Sequence, residues 1–240
     1  PPPSMELLRR IPTLKYIQLM SAGFDYLDVK ALSEMGVRIA NNSEAIKDSV
    51  AEHTILLMLA VYRDLVNSWR SLMHRRWDTE VKRWEFQQIT GKTVGIVGLG
   101  HIGQEVARRL KTWRANLIYY DIRTIPKKLE EELGVERVSL EELLRTSDIV
   151  TVHVPLNSRT RHMFSTREFS LMKPTAVFIN TCRGPVVDEK ELYDALVKRR
   201  IAAAGLDVFE EEPTQPDNPL LELNNVVLTP HTAGGSRETT

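Results

Sequence analysis

From Thr93 to Pro230, short apolar runs alternate with stretches of helical period, and no other feature of the sequence constrains the fold as strongly. TVGIV (93–97), NLIYYD (116–121), DIVTVHV (148–154), TAVFIN (175–180), AAAGLDVF (202–209) and NVVLTP (225–230) read as strands. Between them, HIGQEVARRLKTW (101–113), KKLEEELG (127–134), SLEELLRTS (139–147), STREFSLM (165–172) and DEKELYDALVKRR (188–200) read as helices. Strands joined through helices of this length run parallel, and both faces of the sheet are covered. The expected fold class is therefore α/β with a doubly wound parallel sheet. EEEPTQPDNP (210–219) is expected to be a loop, because proline breaks both helix and ladder.

Upstream, LKYIQLM (14–20) reads as a strand, SAGFD as a turn, Leu27 to Met35 as a helix and Val37 to Asn41 as a strand. A long helix is expected from Asp48 to Met73, with Ile55, Leu59, Tyr62, Val66 and Trp69 on one apolar stripe. Ser49 followed by Glu52 has the spacing of a capping box.

Composition narrows the function classes. The 240 residues are 42% hydrophobic and 27% charged, a globular balance. Lys+Arg and Asp+Glu are both 32, so the chain lacks the basic excess of a nucleic-acid binder. Arg75, Arg76, Lys82 and Arg83 read as a solvated face or a subunit contact. No apolar run reaches the roughly 20 residues of a membrane helix. A single cysteine, Cys182, excludes an internal disulfide and a cysteine-cluster metal site, and suits a cytoplasmic location. No HxxxH or acidic cluster points to a metal.

Gly98-Leu99-Gly100-His101-Ile102-Gly103 follows a strand and opens a helix, the context in which GxGxxG signals dinucleotide binding. Gly98 permits the tight turn, Gly100 leaves room for a pyrophosphate, and Gly103 lets helix and strand pack closely. Free N–H groups at the helix start attract the phosphates. Asp121 ends the next strand, where a carboxylate accepts from ribose hydroxyls and repels a 2′-phosphate. NAD is thus expected over NADP, although Arg123 offsets part of that repulsion.

Three residues at or after later strand ends suit redox chemistry at a carbonyl beside a carboxylate. Arg183 can bind the carboxylate and polarise the carbonyl. His231 can supply the proton. Glu212, paired with the imidazole, stabilises its cation and fixes its tautomer. Taken singly, each also has a structural reading: a surface ion pair for Arg183 or Glu212, a capping histidine for His231.

TVGIVGLGHIGQEVARRL, HVPLNSRTRHMF, INTCRGPVVDEKELYDAL, AGLDVFEEEP and NVVLTPHTAGG together resemble the D-isomer-specific 2-hydroxyacid dehydrogenase family. SAGFDYLD and NNSEAIKDSVAEHTILLML extend the resemblance upstream. It implies a Rossmann domain over 47–230, a partial, truncated flavodoxin-like substrate domain over 1–46, and a return segment over 231–240. It implies that Arg183 binds the substrate, that His231 is the general acid/base and that Glu212 is its partner. Ala22 and Gly23 would hold the substrate carboxylate through their backbone. His101 and Ile102 would offer N–H groups to the pyrophosphate, and Asp121 would hold the ribose. His153, Val154 and Pro155 would line the adenosine side. Thr181, Cys182 and Asp207 would sit near the nicotinamide, and Thr54 would touch the cofactor from the long helix. The closing loop departs from the family's common His-Ile-Gly-Gly, reading His231-Thr232-Ala233-Gly234.

The resemblance implies a small 2-keto or 2-hydroxy acid as substrate, and a homodimer formed through the Rossmann domain, with Trp69, Trp77 and Trp84 as core or dimer contacts. The leading reading is an enzyme that passes a hydride between NAD(H) and such an acid. The alternative is an NAD(H)-sensing scaffold, like the corepressors that resemble this family. Cys182 reads as a buried wall residue, and His53, His74 and His162 as packing or surface residues.

Overall fold

The computed structural model describes residues 4–77 and 85–239, so the expectations for Lys82, Arg83 and Trp84 lie outside the described residues. A small N-terminal unit comes first: α1 (Met5–Arg9), β1 (Tyr16–Gln18), α2 (Val29–Glu34) and β2 (Arg38–Ala40). β1 and β2 pair in parallel with Ile17 opposite Ile39. Leu8, Leu19, Leu27, Leu32 and Val37 form the core of this unit.

α3 (Ser43–Tyr62) and α4 (Leu65–Met73) follow. The single helix expected from Asp48 therefore starts earlier and is broken in the middle. Asp64 adopts a left-handed conformation at φ 45°, which ends one helix and re-aims the next. The expected capping box is absent: Asn42 is the N-cap, and the Ser49 hydroxyl donates to the distant Ala233 carbonyl at 2.8 Å. A long-range partner overrides the local signal here. Trp69, expected on the buried stripe, lies 60% exposed beyond the break, and Trp77 is exposed as well.

The remaining elements are β3 (Thr93–Val97), α5 (His101–Thr112), β4 (Asn116–Tyr120), α6 (Lys127–Leu133), β5 (Val135–Arg137), α7 (Leu140–Thr146), β6 (Ile149–Val152), α8 (Thr166–Leu171), β7 (Val177–Asn180), α9 (Glu189–Val197), β8 (Ala203–Leu206) and β9 (Val226–Leu228). The strands form one parallel sheet in the order β5-β4-β3-β6-β7-β8-β9. β5 was not evident in the sequence, because three residues directly after a helix carry no readable alternation.

The central strands β3, β6, β7 and β8 bury both faces, as the doubly wound expectation requires. On β7, Val177 and Ile179 join the core beneath α3 and α5, while Phe178 joins the opposite core with Leu143, Leu192 and Leu196. There Phe178 packs against Phe164 in a tilted pair at 4.9 Å between ring centroids and meets Phe169 edge-on at 5.4 Å. α3 crosses β8 closely: a Cβ on Gly205 would lie 3.0 Å from the Cβ of Leu57. Among the described residues, no helix is long and apolar enough to cross a membrane, and no group of three His, Cys, Asp or Glu is placed to hold a metal.

Candidate active site

The strand order reverses between β3 and β6, and in sheets of this kind ligands bind at the carboxyl ends of the strands flanking that point. A cleft of about 750 Å³ opens there, bounded on its far side by the N-terminal unit. The glycine turn leaves β3. Gly98 has φ +93°, and a Cβ on Gly103 would lie 2.2 Å from the Gly98 carbonyl oxygen. Gly100 caps α5, and nothing lies within 4 Å of where its Cβ would be. The first-turn N–H groups of α5, those of His101 and Ile102 included, have no acceptor within the helix. This open, donor-lined turn fits a dinucleotide pyrophosphate. The His101 ring itself turns aside to Glu44, with Nδ1 2.6 Å from the carboxylate.

Asp121 lies beside the turn. Its Oδ2 accepts from the Leu99 N–H at 2.8 Å and its Oδ1 from the Arg123 N–H at 2.8 Å. Each oxygen keeps a second lone pair for a ribose hydroxyl. Across the reversal, His153, Val154 and Pro155 line the cleft. The Nε2 of His153 lies 3.0 Å from the Thr151 hydroxyl, and its Nδ1 is buried with no partner among the described residues. Burial pushes its pKa down to about 3, so the ring is neutral.

Arg183 leaves β7 in extended conformation ahead of a 3-10 turn at Gly184–Val186. Its Nε donates to Asp25 of the N-terminal unit at 2.9 Å, and its Nη1 to the Cys182 carbonyl at 2.8 Å. Its Nη2 packs onto the Gly23 backbone so closely that a Cβ there would be 1.4 Å away. The guanidinium thus faces the Ala22–Gly23 backbone across the cleft.

His231 has φ 53°, a strained setting for a residue with a side chain. Its Nδ1 meets Glu212 Oε2 at 2.5 Å. Glu212 is fixed in turn by the Phe209 N–H, which donates to Oε1 at 2.9 Å. Among the described residues no partner takes Nε2, which the imidazole therefore presents to the cleft.

Ala22, Gly23, Gly100, His101, Ile102, His153, Val154, Pro155, Thr181, Cys182, Arg183, Asp207, Glu212 and His231 all border the one cleft. Gly98, Gly103 and Asp121 shape the turn behind it. Thr54 lies deeper than expected. It is fully buried, donates to the Val50 carbonyl at 2.7 Å and meets the Thr181 hydroxyl at 2.9 Å, so it reaches the cleft only through Thr181. Burial pushes the Cys182 thiol up to about 11, the state of a wall residue rather than a nucleophile.

Sequence reading missed several supports. Asp25 is the carboxylate on Arg183. Asn180 accepts from the Cys182 N–H and donates to the Arg183 carbonyl, both at 3.0 Å. His162 meets Glu210 at 2.5 Å and ties down the loop that bears Glu212. Only Asp25, two residues after Gly23, had a local signal.

Residues 55–233 match the family described as D-isomer specific 2-hydroxyacid dehydrogenase, NAD binding domain. The D-3-phosphoglycerate dehydrogenase of Methanocaldococcus jannaschii is 43% identical over 97% of this chain and 44% of its own length. The glyoxylate reductase of Korarchaeum cryptofilum is 42% identical over 99% of this chain and 72% of its own. The crystal structure of a glyoxylate reductase from Paecilomyes thermophila superposes with a TM-score of 0.88 at 35% identity, covering 95% of this chain and 68% of that one. The chain thus spans less than half of the first of these relatives and about 70% of the other two. The match over 55–233, the glycine turn at the sheet's reversal point and the shared fold place this chain in the D-isomer-specific 2-hydroxyacid dehydrogenase family.

Proposed function

We propose that the protein interconverts a small 2-keto acid and its D-2-hydroxy acid, with NAD(H) as the hydride carrier. The observation that carries this reading is the His231–Glu212 pair lining the same cleft as Arg183 and the glycine turn. A bound nicotinamide dinucleotide supplies the hydride that a carbonyl carbon accepts.

The chain's own residues do the rest. The first turn of α5 holds the pyrophosphate, and Asp121 selects NAD by accepting from the ribose and repelling a 2′-phosphate. Thr181, Cys182 and Asp207 wall the nicotinamide end. Arg183 binds the substrate carboxylate and polarises the carbonyl, with the Ala22 and Gly23 backbone on the other side. His231 holds a proton on Nε2, directed at the carbonyl oxygen, while Glu212 keeps Nδ1–H paired and stabilises the imidazolium. In the reverse direction Nε2 accepts the hydroxyl proton.

Residues 1–46 then belong to the substrate domain, 47–230 to the NAD-binding domain, and 231–240 to the return between them. The exposed apolar side chains of α4, Leu65, Trp69, Leu72 and Met73, support pairing with a second copy through the NAD-binding domain. The single cysteine suits the cytoplasm.

The test is NADH and NADPH consumption by the full-length protein against glyoxylate, hydroxypyruvate and 3-phosphohydroxypyruvate. Turnover with NADH supports the reading. Tight NADH binding without turnover on any keto acid refutes it in favour of a sensing scaffold.

A further inference from the structure

We propose that one stripe of α3, through His53 and Ser49, is the backstop that holds the His231 loop in its reactive position. Both are positioning residues, and the inference rests on the role assigned to His231 above.

The His231 loop is built around a buried carboxylate. Asp207 is 0% exposed. Its Oδ1 accepts from the Thr232 N–H at 2.9 Å and the Thr229 hydroxyl at 2.6 Å, and its Oδ2 accepts from the Ala233 N–H at 2.8 Å. Its backbone carbonyl takes the His231 N–H at 2.8 Å. Left-handed backbone at a residue with a side chain persists only where its surroundings enforce it. Here the enforcing contacts converge on Asp207.

A buried carboxylate needs its oxygens satisfied, since desolvation without partners is costly. α3 adds a donor behind the pair that Asp207 makes with Thr229. His53 Nε2 lies 3.5 Å from Asp207 Oδ1 and 2.9 Å from the Thr229 hydroxyl oxygen. Thr229 has one proton and gives it to Asp207, so it must accept from His53. His53 therefore carries its proton on Nε2 and donates into the Thr229–Asp207 pair.

The same stripe grips the loop at two further points. The Ser49 hydroxyl donates to the Ala233 carbonyl at 2.8 Å. A Cβ on Gly234 would lie 3.6 Å from Ile46 Cδ1 and 4.0 Å from Val50 Cγ2, so the loop rests against both. Positions 46, 49, 50 and 53 follow the three-and-four spacing of one helix face. Glu212 thus orients the His231 ring from the cleft side, and α3 fixes its backbone from behind.

The test compares wild type, His53→Leu, His53→Gln and Ser49→Ala in the full-length protein. Leucine fills the site without a donor, whereas glutamine places an amide N–H at a similar reach. For His53→Leu, kcat is expected to fall by about tenfold to a hundredfold, the scale of a small displacement of a reacting group. NADH affinity and KM are expected to hold, and His53→Gln to recover most of kcat. Ser49→Ala should give a smaller loss of the same kind. Independently of turnover, hydrogen exchange over residues 229–235 should quicken in His53→Leu and stay slow in His53→Gln. Unchanged exchange in that segment with wild-type kcat in His53→Leu overturns the proposal, as does a loss that glutamine does not rescue. A wild type with no turnover refutes the assigned function, while the exchange measurement still decides the positioning claim.

Discussion

Gly103 leaves no room for even one methyl group. Its Cβ would lie 2.2 Å from the Gly98 carbonyl, a backbone atom that cannot step aside without opening the glycine turn. Gly103→Ala is expected to abolish NADH binding and to cost about 1–3 kcal/mol, as overpacking does, read by fluorescence titration and denaturant unfolding. Gly23 behaves differently, because what its Cβ would meet is the far end of the Arg183 side chain rather than backbone. Gly23→Ala should leave the melting temperature unchanged and raise KM for the keto acid, with NADH affinity intact; an unaltered KM would show that Arg183 is not held against this backbone. Tyr62 carries a buried hydroxyl with no hydrogen-bond partner among the described residues, and burial raises its pKa. Removing an unpaired buried polar group favours the fold. Tyr62→Phe should therefore stabilise the protein by about 1 kcal/mol, seen as a higher denaturant midpoint.

At the scale of elements, β6 is followed directly by a histidine that folding forces to stay neutral. The pKa of His153 falls from 6.5 to about 3 on burial. Between these values the unfolded chain binds a proton that the native chain does not, so stability rises with pH across that window. This contribution is fully present above pH 6.5 and is lost as pH falls toward 3. His153→Gln should flatten that part of a pH series of unfolding midpoints; an unchanged slope would place the acid sensitivity elsewhere. The elements differ in how far they could be read from sequence. β3, β6 and β7 were legible because burial on both faces writes an uninterrupted apolar run. The glycine turn was legible because backbone sterics dictate its residues. α3 was misread at both ends, since Ser49 answers to Ala233 and the break falls at Asp64, which carries no glycine or proline signal. The supports of the site were less visible than its reacting groups. His53 and His162 act through partners more than 40 residues away, and spacing along the chain does not report such contacts.

For the whole molecule, the N-terminal unit and the parallel sheet meet at Arg183, which binds Asp25 on one side and follows β7 on the other. α3 ties the same two regions together, beginning just after β2 and ending beneath the sheet. The apolar face of α4 points away from both, and its exposed Trp69 gives the homodimer reading a direct test. Sedimentation should find the wild type dimeric and Trp69→Glu monomeric; a monomeric wild type contradicts that assembly. Under the proposed function, His231 moves a proton at the substrate oxygen and takes no part in holding the cofactor. Single-turnover reduction of the preferred keto acid by wild type and His231→Gln, with NADH affinity measured on both, addresses it directly. The His231→Gln rate is expected to be lower by about 10²–10⁴-fold, the usual contribution of general acid catalysis, at unchanged NADH affinity. A His231→Gln protein that reduces the keto acid at the wild-type rate would contradict this role.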